Sequence, residues 1–221
     1  MKYNTAQVAS LQPDYLGFIF YDKSPRNFEG SIPDLPKNIK KVGVFVNAEI
    51  ETVIDTIKTY QLDAVQLHGG ESPKYIVELK TLCHSEFISE SHDENLKQID
   101  IIKVFSIKDT FDFSVLQPYE AIVDYFLFDT KGKQPGGNGY TFNWNVLENY
   151  PSTKPYFLSG GIGLNEIDSI KSFLQKQASK YCYALDVNSK FEIKPGLKNI
   201  DELEKFKNHI GHVEHSRDIS S

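Results

Sequence analysis

Cysteine is scarce: Cys83 and Cys182 are the two in 221 residues, and neither lies in a CxxC pair or a zinc-type Cys/His spacing. That excludes a disulfide framework and points to a reducing compartment. Long apolar runs are also missing. The opening stretch Met1 to Leu11 has no signal-type apolar core, and the run Tyr15 to Tyr21 is far too short to cross a bilayer. The expectations are a cytoplasmic chain and no membrane partner. Positive charge is in deficit as well. With 24 Lys and Arg against 30 Asp and Glu, the net charge of -6 argues against a nucleic-acid partner, while leaving room for a local pocket that holds one small anion.

What is present is a globular composition, 40% hydrophobic with 15 Phe and 12 Tyr, enough for a sizeable core. Short apolar runs alternate with stretches of helical period, the pattern of a parallel α/β sheet. Strands are expected at Tyr15–Phe20, Lys41–Asn47, Ala64–His68, Ile101–Ile107, Tyr125–Asp129, Tyr156–Ser159 and Tyr183–Val187. Helices are expected near Ile50–Tyr60, Pro73–Leu82, Phe113–Tyr119, Phe142–Asn149, Asn165–Lys176 and Ile200–Ile210, after a first helix capped by Asn4 or Thr5. Most of the strand runs end on polar residues or glycine. Polar C-terminal strand ends spread over the whole sheet favour a (β/α)8 TIM barrel over an open doubly wound sheet, whose site gathers at one switch point. The expectation is one barrel domain over residues 1–208. A barrel closes at eight strands, and a helix stands here where strand 1 should come first, so strand 1 is read as missing from the chain as given.

Two segments break the rhythm. The polar stretch Cys83–Asp100 resembles peptides that interspersed repeats insert into coding sequences, and is read as a surface insertion. The tail 209–221 is polar, with three histidines at spacing three, and is read as a frayed helix end. Histidines in such segments could bind a metal, but polar segments carry histidine by chance, and no metal is expected.

Chemistry concentrates at the strand ends. Gly160-Gly161, after the apolar strand and before a helix, can offer backbone N–H groups to an anion, and Ser189 adds a hydroxyl after the last strand, where barrels place a phosphate. Asp129 leaves the apolar run Tyr125-Phe-Leu-Phe and suits a general acid, with helix capping or pairing to Lys131 or Lys133 as the alternative. Ser24-Pro25-Arg26 is a rigid turn presenting a guanidinium suited to a carboxylate, though many loop arginines are simply solvated. His68 could line the pocket or serve as a hydrogen-bonded structural histidine. Gly136, Gly137 and Gly139 lie in a loop flexible enough for a lid, or a plain connector.

Taken in order, Pro13-Asp-Tyr-Leu-Gly-Phe-Ile-Phe, Ser24-Pro-Arg26, Lys41-Val-Gly-Val-Phe-Val-Asn47, Val65-Gln-Leu-His-Gly69, Phe128-Asp-Thr130, Pro135-Gly-Gly-Asn-Gly-Tyr-Thr-Phe-Asn-Trp144, Leu158-Ser-Gly-Gly-Ile162 and Leu185-Asp-Val-Asn-Ser189 through Pro195-Gly196 resemble the phosphoribosylanthranilate isomerase family. The resemblance implies a (β/α)8 barrel that performs an Amadori rearrangement in tryptophan biosynthesis, without cofactor or metal. It implies a phosphorylated small-molecule substrate and a monomer, with a homodimer as the alternative. It casts Asp129 as the acid that opens the ribose ring, Arg26 as the holder of the anthranilate carboxylate, His68 as a pocket residue, and Gly160, Gly161 and Ser189 as the phosphate loops.

The chain also departs from the pattern. The family's first strand ends in Cys-Gly, and that cysteine is the general base; the match here starts at Met1, just after that position. Neither Cys83 nor Cys182 matches it. Asn138 stands where Thr or Ser is usual, and Lys190 where Gly usually follows Ser189. The alternative to an active isomerase is therefore a truncated barrel that only binds a phosphorylated ligand.

Overall fold

A computed structural model of the chain describes the backbone of residues 1–90, 98–130 and 143–218, and the side chains of 1–85, 98–130 and 143–211. Seven strands hydrogen-bond in chain order: β1 (Tyr15–Ile19), β2 (Lys40–Phe45), β3 (Ala64–Leu67), β4 (Asp100–Ile107), β5 (Tyr125–Thr130), β6 (Tyr156–Leu158) and β7 (Cys182–Leu185). The β1–β2, β2–β3, β3–β4 and β6–β7 pairings are parallel. Strands buried on both faces, such as β3, β5 and β6, read as continuous apolar runs, which made them legible in the sequence.

The connections carry α1 (Thr5–Ala9), α2 (Ile50–Tyr60), α3 (Pro73–Glu90), α4 (Ile167–Leu174) and α5 (Ile200–Asp218). Helix α2 buries Ile50, Val53, Ile54 and Ile57, a single stripe at helical spacing, and ends where Gln61 turns into the left-handed region. Residues 113–119 and 144–149 form 3₁₀ turns rather than α-helices, the first of them with Pro118 inside it. A proline removes a backbone donor and resists a longer helix. A small antiparallel hairpin, β8 (Glu192–Lys194) with β9 (Leu197–Lys198), follows β7.

The segment read as an insertion, Cys83–Asp100, has ordered ends. Helix α3 runs on through Glu90, Cys83 is buried, and Asp100 is the first residue of β4. The tail begins as an integral part of α5, which continues to Asp218.

The chain forms two compact units, Met1–Val104 with Ser114–Phe126 and Phe105–Phe113 with Leu127–Ser221. The first is centred on Phe18, Phe45, Leu67, Ile76 and Leu79, all fully buried. The second is centred on Phe128, Tyr156, Leu158, Ile170 and Phe191, with Phe128, Tyr150 and Tyr156 in mutual ring contact at centroid distances of 5.2–5.6 Å.

At the N-terminal ends of the strands carboxylates serve the backbone. Asp63, directly before β3, accepts from the Lys41 N–H at 2.7 Å, and Asp124, directly before β5, accepts from the Ile101 N–H at 2.8 Å. These aspartates stabilise the strand starts. The opposite, C-terminal ends are where a parallel α/β fold keeps its chemistry.

Candidate active site

In the second unit, Asp129 is the penultimate residue of β5, 8% exposed behind Phe126, Leu127 and Phe128. Its Oδ1 accepts from the Thr130 N–H at 2.8 Å. The end of β6 lies directly against it. Gly160 has φ +90°, and a Cβ there would lie 2.7 Å from Asp129 Oδ1 and collide with Thr130, so only glycine allows the two strand ends to approach this closely. Gly161 also has positive φ, +70°.

Ser159, the residue before that glycine pair, donates through Oγ to Asp186 Oδ2 at 2.8 Å, and the Asp186 N–H donates to Leu158 O at 2.8 Å. These bonds tie the exit of β6 to the exit of β7. Further along the same two loops, a Cβ on Gly163 would meet the Lys190 side chain at 3.1 Å. The β6 loop with Gly160 and Gly161 and the β7 loop with Ser189 therefore touch. Among the described residues nothing accepts from the amides of Gly160, Gly161 or Ser189. Free amides on adjoining loops are the means by which backbone holds an anion.

The first unit holds the other two predicted residues on separate loops. Arg26 follows β1 in a tight turn in which Ser24 Oγ accepts from the Arg26 N–H at 3.2 Å and Ser24 O accepts from the Asn27 N–H at 3.0 Å. The predicted Ser-Pro-Arg turn is present, and the side chain is half-buried. His68 comes just after β3; its N–H donates to Phe45 O at 2.8 Å and its Nδ1 lies 3.2 Å from Gln66 Nε2. The lid glycines Gly136, Gly137 and Gly139 fall outside the described residues.

Sequence reasoning missed the groups that fix these loops. Glu71 Oε1 accepts from the N–H groups of Asn47 at 2.8 Å and Gly69 at 3.1 Å, while Oε2 pairs with Lys103 Nζ at 3.0 Å. Lys103 also donates to Gly69 O at 2.7 Å. Both side chains are almost fully buried, at 3% exposure for Lys103 and 1% for Glu71. Burial pushes the Lys103 amine below the usual lysine range, against the pull of the Glu71 charge and its hydrogen bond. This pair ties the exits of β2 and β3, beside His68, to the middle of β4. The available signal was a lysine inside the apolar run Ile101-Ile-Lys-Val, since a charge in a buried strand must have a partner. A second such pair, Lys198 with Glu192 at 3.0 Å, lies beside Ser189.

Neither cysteine stands at a C-terminal strand end. Cys83 is within α3, and Cys182 is the first residue of β7, at the other end of that strand from Asp186.

The sequence model of the N-(5'-phosphoribosyl)anthranilate (PRA) isomerase family matches residues 2–209. The chain is 38% identical over 215 residues to the N-(5'-phosphoribosyl)anthranilate isomerase of Parabacteroides distasonis, covering 95% of this chain and 89% of that one. It is 33% identical to the isomerase of Phocaeicola vulgatus over 94% of this chain and 92% of that one. Among solved structures, phosphoribosyl anthranilate isomerase from Thermotoga maritima superposes with a TM-score of 0.73 at 30% identity, covering 95% of this chain and 96% of that one. Another, at TM-score 0.66 and 27% identity over 93% and 92% of the two chains, is an isomerase in complex with reduced 1-(O-carboxyphenylamino)-1-deoxyribulose 5-phosphate.

Proposed function

The chain belongs to the N-(5'-phosphoribosyl)anthranilate isomerase family, with the α/β architecture of the (β/α)8 class, and from that membership we propose that it converts N-(5'-phosphoribosyl)anthranilate to 1-(2-carboxyphenylamino)-1-deoxyribulose 5-phosphate in tryptophan biosynthesis. The observation that carries this reading is a family match along nearly the whole chain, joined to a buried carboxyl at the exit of β5 with the Gly160 backbone packed against it.

In this reading Asp129 gives its proton to the ribose ring oxygen as the C1'–O bond breaks, and the anilino nitrogen lone pair forms the C1'=N iminium. Removal of the C2' proton then yields an enolamine, which tautomerises to the amino-ketose. At 8% exposure, the carboxyl has little contact with bulk water when it delivers its proton. The amides of Gly160, Gly161 and Ser189 take the 5'-phosphate, Arg26 holds the anthranilate carboxylate as a two-pronged donor, and His68 lines the aromatic end.

The C2' proton needs a base, which neither Cys83 nor Cys182 is placed to supply, and the described residues form a sheet of seven strands where a barrel of this class has eight. The test therefore assays two polypeptides on N-(5'-phosphoribosyl)anthranilate: residues 1–221, and the same residues preceded by a short apolar strand ending in Cys-Gly. Turnover by the extended form is expected. If neither form converts the substrate, the proposed function fails.

A further inference from the structure

The hairpin β8–β9 contains a buried charge pair that the proposed chemistry does not use. Lys198 Nζ donates to Glu192 Oε1 at 3.0 Å, to Asn188 O at 3.0 Å and to Asn188 Oδ1 at 2.5 Å. Glu192 Oε1 also accepts from the Gly196 N–H at 3.0 Å, which fixes the hairpin turn. The two side chains are 8% and 4% exposed. An ion pair taken out of water is not retained for stability alone, because apolar residues of the same volume often do as well.

Its placement indicates its use. The carbonyl that Lys198 grips belongs to the same peptide unit as the Ser189 N–H. In a planar trans peptide these two groups point in opposite directions, so a clamp on the carbonyl sets the direction of the amide. A charge-assisted bond to that carbonyl also draws electron density from the N–H and makes it a stronger donor. The same carbonyl also accepts from the Phe191 N–H at 3.2 Å, so Lys198 adds a charged donor to a carbonyl already fixed by the backbone. The Ser189 N–H itself has no acceptor among the described residues.

We propose that Lys198 and Glu192 are positioning residues that hold the Asn188–Ser189 peptide so that its N–H faces a bound phosphate; this rests on the phosphate role given above to Ser189. Lys198 acts through the peptide, its three protons being engaged by Asn188 and Glu192, and Glu192 aims the lysine.

The test uses the full chain with Lys198→Met, Glu192→Met and the double variant, titrated with inorganic phosphate while the amide resonances of Gly160, Gly161 and Ser189 are followed by NMR. Positioning predicts phosphate binding about tenfold weaker in all three variants. A simple field effect predicts opposite signs, weaker binding on losing the lysine, tighter on losing the glutamate and near-normal binding in the double variant. That pattern, or unchanged affinity in all three, overturns the proposal. The double variant leaves no lone buried charge and keeps the test sound if a single variant unfolds. Hydrogen exchange at the Ser189 amide provides an arm independent of the ligand. If the unaltered chain binds no phosphate, the phosphate reading fails, and the pair is judged by whether Ser189 exchange accelerates beyond that of β6 in the variants; no acceleration overturns it.

Discussion

Asp129 and Gly160 show how single residues divide the work at the exit of β5. The carboxyl accepts through Oδ1 from the Thr130 N–H, and the Gly160 backbone packs beside that same oxygen. Asp129→Asn preserves shape and that contact but has no acidic proton to give. In the strand-extended form it should lower kcat by roughly 10²-fold or more with little change in unfolding free energy. Near-normal turnover would remove Asp129 from the chemistry. Gly160→Ala tests the same place through the backbone. Its φ of +90° and the collision with Thr130 should together cost about 2 kcal/mol in urea unfolding and displace the Asp129 carboxyl, so both stability and kcat fall. A stable, fully active alanine variant would show that the strand ends are less tightly joined. Arg26→Ala, on a turn whose backbone holds itself, should raise KM more than it lowers kcat. An unchanged KM would refute the carboxylate assignment.

At the scale of elements, the loops after β2 and β3 depend on side chains from α3 and β4. Tyr75, on the first turns of α3, donates to Ala48 O at 2.9 Å, and burial together with the nearby Glu71 charge pushes its hydroxyl up to about 12 from a usual 10.0. The unfolded chain therefore loses this proton at lower pH than the folded one. The contribution is fully present below pH 10 and is lost as pH rises toward 12. Alkaline urea titrations should show stability falling across that window, and Tyr75→Phe should flatten the fall while costing about 1 kcal/mol at neutral pH. An unaltered slope would place the sensitivity elsewhere, Tyr119 being the next group shifted upward by burial. Lys103→Met should be more damaging, because it leaves Glu71 buried without its countercharge, a loss of about 3–5 kcal/mol.

For the whole molecule, the proposed test adds one strand before Met1. Among the described residues, strands β1 and β7 end the sheet order. Unpaired strand edges cost stability and invite association. The extension ending in Cys-Gly should therefore raise the melting temperature as well as restore turnover. The same extension ending in Ser-Gly should raise the melting temperature equally, yet leave the rate about 10²–10⁴-fold lower. Full turnover with serine would mean that another group removes the C2' proton.

The seven strands, the stripe of α2 and the glycine pair at the exit of β6 were legible in the sequence because each depends on local pattern: apolar runs where strands are buried, helical spacing where one face is, glycine where φ is positive. Asp129 and Arg26 were singled out for the same reason, as polar residues closing local motifs. What pattern could not supply was partnership across sequence distance. Lys103 with Glu71, 32 residues apart, and Ser159 with Asp186, 27 residues apart, become pairs only when parallel strands bring their ends side by side. Helix α3 outran its expected end at Leu82 because Cys83 finds a buried place, a tertiary gain that local polarity does not reveal. The sequence by itself determined which residues form strands and which strand ends carry polar residues and glycine. The tertiary structure decided which buried charges hold those strand ends in place, because a charge inside a fold is stable only beside the partner that packing brings to it.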